Sequence, residues 1–192
     1  MDKKEIKKAI EDFYQDVAQG EIKVEGDIEE INQSLGYSQE DLEAIPEEAQ
    51  LGLGCGNPVI NARVQAGEII ADLGSGRGMD VFLMSKIVGQ EGLVIGIDNN
   101  QSMIQGAREI AKKRDYTNVD FRLGEIDDLP IEDGGLDLLT SNCAINLSRD
   151  KRRVYKEIYR VLKIGGRISL SDIVLKKELP EEIKNNPRVH GT

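Results

Sequence analysis

The sequence predicts an α/β fold in which a mostly parallel, doubly wound sheet carries an N-terminal helical cap. From about Gly67 onward, short apolar runs alternate with amphipathic segments, and a glycine-rich turn follows the first run at 74–78. Parallel strands need crossover connections, usually helices, so this alternation is typical of a sheet covered on both faces. We predict a cap at 1–60 and the sheet domain at 61–192.

The apolar periodicity gives the order of the elements. It predicts strands at 68–73, 93–98, 118–123, 136–141 and 167–174, with helices at 80–88, 101–114 and 150–162. The last helix should stop before Gly165-Gly166. Ligands of such sheets bind beyond the carboxyl ends of the strands. The residues that follow each strand are therefore the candidate functional residues.

The cap is predicted to contain two helices. Apolar residues recur at helical spacing over 6–17, and Gly20 should end that helix, which we expect to lie across the main body. A polar stretch follows at 21–36. Residues 38–41 then have the Ser-x-x-Asp pattern of a capping box before a short helix that Pro46 stops.

Composition and charge exclude several classes of protein. The sequence is 39% hydrophobic and 31% charged, which argues against disorder, and no apolar run approaches the roughly 20 residues that span a bilayer. The net charge of −10 would repel the phosphates of nucleic acid. Because the N-terminus lacks the layout of a secretory signal, we expect a cytoplasmic protein without nucleic-acid or membrane partners.

The thiol and imidazole content is small. Cys55 and Cys143 are the two cysteines, and His190 is the single histidine. Without an export signal a structural disulfide is disfavoured, and both cysteines could simply be small buried hydrophobic residues. Two thiols and one histidine in the tail do not make a four-ligand zinc site, so we predict no resident metal.

The turn after the first strand, Asp72-Leu73-Gly74-Ser75-Gly76-Arg77-Gly78, has glycines at alternate positions. Glycine lets a backbone turn sharply and approach a ligand closely, although such loops alone are a weak signal and can be purely structural. Asp98 ends the second predicted strand, where an acidic side chain binds the hydroxyls of a ribose. A nucleoside ligand is therefore favoured.

The charge near the glycine loop distinguishes between two classes of nucleoside ligand. A pyrophosphate needs loop amides free of negative charge, yet Asp72 precedes the glycines, and Met79 stands where the dinucleotide motif has its last glycine. S-adenosylmethionine carries a sulfonium and an ammonium and lacks phosphate, so an acidic approach suits it. The alternative for Asp72 is a carboxylate that caps the loop backbone.

The third and fourth strands bring further candidates to the same edge. In Gly124-Glu125-Ile126 the acidic residue could hydrogen-bond to an adenine edge and the apolar residue could cover it, or the segment could be a plain turn. After the fourth strand, residues 141–147 combine polar side chains with the Cys143 thiol. These polar groups could serve a ligand, although Asn146 or Ser148 could equally cap a helix.

Together these segments resemble a known family. The motif series at 72–78, 98, 124–130 and 160–166 is similar to that of Rossmann-like class I methyltransferases. More narrowly, two cysteine segments resemble the arsenite methyltransferases, and they are more specific than the glycine loop: Leu51-Gly52-Leu53-Gly54-Cys55-Gly56-Asn57-Pro58 and Ser141-Asn142-Cys143-Ala144-Ile145-Asn146-Leu147-Ser148. The resemblance covers roughly residues 36–187.

The resemblance implies methyl transfer from S-adenosylmethionine to trivalent arsenic held by cysteine thiolates. Cys143 would bind arsenic near the methyl donor, and Cys55 would be a second ligand or a partner in a thiol–disulfide relay that needs an external thiol reductant. Glu125 would lie near the adenine. The implied cofactor residues are Asp72, Gly74, Ser75, Gly76, Gly78, Asp98, Asn99, Met103, Gly124, Glu125, Ile126 and Asn142.

The sequence departs from this family in two places. Members carry a cysteine where this chain has 21–26 without one, and a further cysteine and antiparallel final strands beyond the point where this chain stops at Thr192. We therefore expect a shortened member, whose exposed fifth strand could support a homodimer. Two alternatives stay open: a methyltransferase of another small acceptor in which both cysteines only pack, and a catalytically silent module that binds cofactor or arsenic.

Overall fold

The computed structural model describes residues 3–22, 26–148 and 150–177, so His190 lies outside the described residues. Its centre is a five-stranded parallel sheet of strand order β3-β2-β1-β4-β5. The strands are β1 Ile69–Leu73, β2 Leu93–Asp98, β3 Val119–Leu123, β4 Leu136–Asn142 and β5 Leu162–Ser171. The strand order reverses between β1 and β4, and such switch points open a crevice for ligands.

Helices cover both faces of the sheet, as predicted. They are α1 Lys3–Gln19, α2 Ile28–Ser34, α3 Gln39–Ala44, α4 Val59–Ala62, α5 Met79–Val88, α6 Gln101–Lys113 and α7 Lys151–Val161. Successive strand residues point to opposite faces, so Ile70 joins one buried cluster and Ala71 the other. Phe82 of α5 packs in the first cluster and Val154 of α7 in the second. Burying such side chains stabilises the fold by about 1.5–3 kcal/mol each.

The N-terminal segment is continuous with this core. Tyr37, Leu42 and Val59 belong to the same buried cluster as Ile70 of β1, and α1 contacts α6. The predicted capping box is confirmed, since Ser38 Oγ accepts from Asp41 N and the Asp41 carboxylate accepts from Ser38 N. The domain boundary at residue 60 stays a prediction.

Several local features differ from the sequence prediction. Residues 21–36 gave no helix signal, yet α2 forms there because the Asp27 carboxylate accepts from the amides of Glu29 and Glu30. The short helix α4 at Val59–Ala62 was not predicted either. β5 spans Leu162–Ser171 rather than 167–174. Leu162 pairs with Leu136, and pairing resumes between Arg167 and Leu138, so the intervening glycine turn bulges out of the sheet.

β5 is one of the two edge strands of the described sheet, and apolar side chains on it and after it are exposed. Ile168 is 46% exposed, and Ile173 and Val174, which follow the strand, are 54% and 78% exposed. None of the described helices is long and apolar enough to cross a membrane.

Arg167 ties β5 to the segment that precedes β1. Its guanidinium donates to the carbonyl oxygens of Ala62 at 2.9 Å and Arg63 at 2.6 Å. It also forms a two-point ion pair with the Glu68 carboxylate at 2.6 and 2.8 Å. Both features fix the position of the strand whose end reaches the site described below.

We expect Arg167→Ala to lower the free energy of unfolding by about 1–3 kcal/mol, because it leaves two carbonyls and a carboxylate without this partner. Arg153→Ala is the matched control. That arginine is exposed and lies 4.0 Å from Asp127, so its loss should cost no more than about 0.5 kcal/mol. Urea unfolding followed by circular dichroism measures both, and equal losses would contradict the structural role of Arg167.

Candidate active site

A cavity of about 1030 Å³ opens at the carboxyl ends of β1, β2 and β4. The predicted cofactor residues that line it are Asp72, Gly74, Ser75, Gly76, Asp98, Asn99, Met103, Glu125, Ile126 and Asn142. Gly78 and Gly124 do not line it. A side chain at Gly78 would collide with the ring of Phe121, and one at Gly124 would collide with Pro130. Those two glycines serve close packing behind the cavity.

The glycine loop folds over the end of β2. The amides of Gly74 and Ser75 both donate to Ile97 O, at 2.8 and 3.0 Å. Gly76 has φ +53°, in the region that favours glycine, and its amide donates to Asp98 Oδ2 at 2.9 Å. Asn100 N donates to the other oxygen of Asp98 at 2.8 Å. The Asp98 carboxylate is therefore held at the cavity wall, where burial raises its pKa.

Two buried carboxyl groups, Asp72 and Asp80, form the floor of the cavity. Asp72 accepts from Thr140 Oγ1 at 2.7 Å. Burial first, and then the negative charge of Asp80, raises the pKa of Asp72 well above its usual range. Burial raises the pKa of Asp80 to about 6, although hydrogen bonds from Tyr37 and Asn142 act in the opposite direction. A cation bound nearby would favour ionisation of both acids, so this floor suits a cationic ligand.

The cavity wall contains buried polar atoms that lack a partner. Ser75 Oγ and Asn146 Oδ1 make no hydrogen bond within the described part of the chain. Native proteins rarely leave buried polar atoms unpaired, because each costs about 1–3 kcal/mol. Both residues line the cavity, while these two atoms lie buried behind its surface.

α1 closes one side of the cavity. Gln15 Nε2 donates to Ser102 Oγ at 2.9 Å, and the Arg77 guanidinium donates to Ala18 O. Tyr14 lines the cavity, and burial first, then electrostatic interaction with Cys143 and Asp98, raises its pKa to about 12. Helical spacing marks Tyr14 only as an apolar-face residue, so the sequence did not identify it.

The two cysteines meet although 87 residues separate them in the sequence. Their sulfur atoms and a carboxylate oxygen of Asp172 all lie within 4.8 Å of one another. Both thiols are free and half-buried. Cys143 lines the cavity, and Cys55 stands beside it. Burial, the neighbouring Cys143 thiol and then Asp172 raise the pKa of Cys55 to about 12, so Cys55 is protonated at neutral pH.

Backbone contacts hold both cysteines. Cys143 N donates to Ser171 O at 2.8 Å, and Cys143 itself has φ +59°. The Asn142 side chain accepts from Cys55 N at 3.1 Å and donates to Gly56 O at 2.8 Å. Asn142, predicted as a cofactor residue, thus has its carboxamide bound to the cysteine loop as well as to Asp80 at the floor.

Besides Tyr14, three further residues of the site escaped sequence reasoning: Tyr37, Asp80 and Asp172. Tyr37 OH donates to Asp80 Oδ1 at 2.6 Å, so a residue of the N-terminal segment completes the floor of the cavity. Asp80 lies two residues after Gly78, and its position close behind the glycine loop could have identified it as a site residue. Tyr37 and Asp172 gave none, because neither belongs to a motif that predicts its neighbours.

The sequence comparisons agree with this geometry. Residues 64–191 match a family described as a methyltransferase domain. The chain is 45% identical over 156 residues to an arsenite methyltransferase of Halobacterium salinarum, covering 81% of this chain and 40% of that protein. It is 36% identical over 203 residues to the arsenite methyltransferase of Homo sapiens, covering 97% of this chain and 52% of that protein.

A solved structure gives the same relationship. An arsenic(III) S-adenosylmethionine methyltransferase from Chlamydomonas reinhardtii superimposes with a TM-score of 0.64 at 35% identity, covering 83% of this chain and 54% of that one. The chain therefore spans about half the length of these relatives, or less. With its parallel sheet, its cavity at the carboxyl edge and the match over 64–191, the chain belongs to the Rossmann-like class I methyltransferase family, in which arsenite methyltransferases are among its relatives.

Proposed function

We propose that this chain transfers a methyl group from S-adenosylmethionine to trivalent arsenic held by Cys55 and Cys143. The observation that carries the proposal is the meeting of two free thiols beside a cavity with an acidic floor. The relatives named arsenite methyltransferase support it. When bound, the cofactor supplies an electrophilic methyl group on a sulfonium.

The cavity suits that cofactor by its charge. The Asp98 carboxylate would accept the ribose hydroxyls, as acidic residues at this position do in nucleoside-binding sheets. Asp72 and Asp80 would offer negative charge to the ammonium and sulfonium. We assign Glu125 and its neighbours on the cavity wall to the adenine side.

Arsenic capture is compatible with a protonated Cys55. In arsenous acid, As(OH)3, each thiol replaces one hydroxyl, and the thiol proton leaves with that hydroxyl as water. Two As–S bonds therefore form without any prior deprotonation. Arsenic(III) is thiophilic, as soft metals are, and the two sulfurs lie close enough together to share one atom.

Methyl transfer at such a site depends on positioning rather than on a histidine base. The arsenic lone pair would take the methyl group as the sulfide leaves with the electrons of the sulfur–methyl bond, and arsenic would become pentavalent. Joining Cys55 and Cys143 as a disulfide would return two electrons to arsenic. An external thiol must then reduce the disulfide.

The proposal includes a homodimer through β5. The described sheet ends at this strand, and Ile168 and the residues after the strand are exposed. Such open apolar edges favour association with a second strand. Sedimentation equilibrium distinguishes the dimer from a monomer.

Cys143→Ser is expected to lower arsenic methylation at least about 100-fold, because one As–S bond is lost near the methyl donor. Its affinity for S-adenosylmethionine should stay within about twofold, since Asp98 and the glycine loop are untouched. Mass spectrometry of methylated arsenic and calorimetry measure the two quantities. Unchanged arsenic methylation in this variant would contradict the role of Cys143, and a wild type that binds the cofactor but forms no methylated arsenic would favour another acceptor or a silent module.

Asp98→Asn provides the converse control. It removes the charged acceptor for the ribose and should weaken cofactor binding by about 10- to 100-fold, the value of one charge-assisted hydrogen bond. Arsenic binding to the two thiols should be retained, as measured by equilibrium dialysis with arsenite. Retained cofactor affinity in this variant would contradict the proposed ribose site.

Cofactor affinity should rise with pH between about pH 5 and 7, by at most about tenfold per unit for one proton. The pKa of Asp80 is raised from 3.8 to about 6, and a cation binds better once that proton is lost. The same shift makes the unliganded protein lose stability from this group as pH rises from about 4 to about 6. Calorimetry on the wild type and Asp80→Asn tests this, and a flat wild-type profile would contradict it.

A further inference from the structure

Asp172 follows β5 directly and brings a carboxylate to the two thiols. One of its oxygens lies within 4.8 Å of both sulfur atoms. Asn146 N donates to Asp172 Oδ2 at 3.0 Å, and Ile173 N donates to Oδ1 at 2.8 Å. The carboxylate is thereby held at both oxygens, while lone pairs remain for a further donor.

Asp172 forms no salt bridge within the described part of the chain. A carboxylate oxygen beside two sulfur atoms favours an electropositive atom between them. Asp172 also lies beside the Cys143 backbone, because Cys143 N is bonded to the preceding Ser171 O.

We infer that Asp172 is the third group of the arsenic site, where its carboxylate accepts a hydrogen bond from the hydroxyl that arsenic keeps and takes that proton during methylation. The inference rests on the proposed function. Two thiols replace only two of the three hydroxyls of arsenous acid. The third hydroxyl stays on arsenic, and within the Cys55, Cys143 and Asp172 cluster the remaining side is occupied by the carboxylate.

The step balances in atoms and charge. The arsenic lone pair forms the As–C bond as the methyl–sulfur bond breaks, and the sulfide leaves with that electron pair. The positive charge of the sulfonium passes to arsenic and makes its hydroxyl acidic. Transfer of that proton to Asp172 leaves a neutral As=O group and a neutral carboxylic acid. Disulfide formation between the two cysteines then reduces arsenic to the trivalent methyl product, and Asp172 returns its proton to water.

The coordination test uses two single cysteine variants. Asp172→Cys places a third thiol at the position of the carboxylate, and Ile173→Cys places one on the exposed neighbour. Each protein is reduced with a phosphine, which avoids competing thiols, and is loaded with arsenite. X-ray absorption at the arsenic edge counts the As–S bonds. We expect two As–S bonds and one As–O bond in the wild type and in Ile173→Cys, and three As–S bonds in Asp172→Cys.

The turnover test uses Asp172→Asn and Asp172→Glu. Asp172→Asn should keep two As–S bonds and its cofactor affinity but lose about 100-fold in kcat, the usual size of a general-base contribution. Asp172→Glu should recover part of that loss, because it restores a carboxylate. The unchanged As–S count shows that the asparagine variant still folds around the site.

The outcomes separate this inference from the proposed function. If the wild type forms two As–S bonds but Asp172→Cys also forms only two, or if Asp172→Asn turns over like the wild type, the role of Asp172 is wrong while the thiol site stands. A wild type that forms no As–S bond overturns the arsenic site itself and this inference with it.

Discussion

The Asn142 carboxamide joins segments of the chain that meet at the carboxyl edge of the sheet. Its oxygen accepts from Cys55 N, and its nitrogen lies 2.8 Å from Gly56 O, 3.1 Å from Tyr37 OH and 3.2 Å from Asp80 Oδ2. Because β4 fixes the backbone of Asn142, these contacts set the cysteine loop and the acidic floor relative to one another. Removing the amide would leave buried groups of several segments unpaired. The thiol and acid halves of the site therefore depend on one side chain.

Burial raises the pKa values of acidic groups in both halves of the site. Asp72, Asp80 and Asp98 are held at the cavity with raised pKa values because burial disfavours their charged forms. The Cys55 thiol is kept protonated in the same way. Without a ligand, burial therefore favours the protonated forms of these groups. A sulfonium cofactor on one side and an electropositive arsenic atom on the other would each favour the ionised forms instead.

The sequence predicted which residues reach the cavity where position on a strand decides it. Asp72, Asp98 and Asn142 end or follow parallel strands, and the strands of such a sheet deliver their ends to one edge. Gly78 and Gly124 were placed with the cofactor by the same logic, yet they pack against Phe121 and Pro130. A glycine in a motif can serve close approach to a ligand or to another side chain, and only the neighbours decide which.

By itself the sequence determined the alternation of strands and helices, the parallel sheet and the position of Asp72 and Asp98 at its edge. Those properties depend on local periodicity and on the short range of a crossover connection. The tertiary structure alone decided that Cys55 meets Cys143, that Tyr37 bonds Asp80 from the N-terminal segment, and that Asp172 reaches the thiols. These contacts join residues far apart in the chain, and their geometry is fixed by packing and buried hydrogen bonds that no single segment encodes.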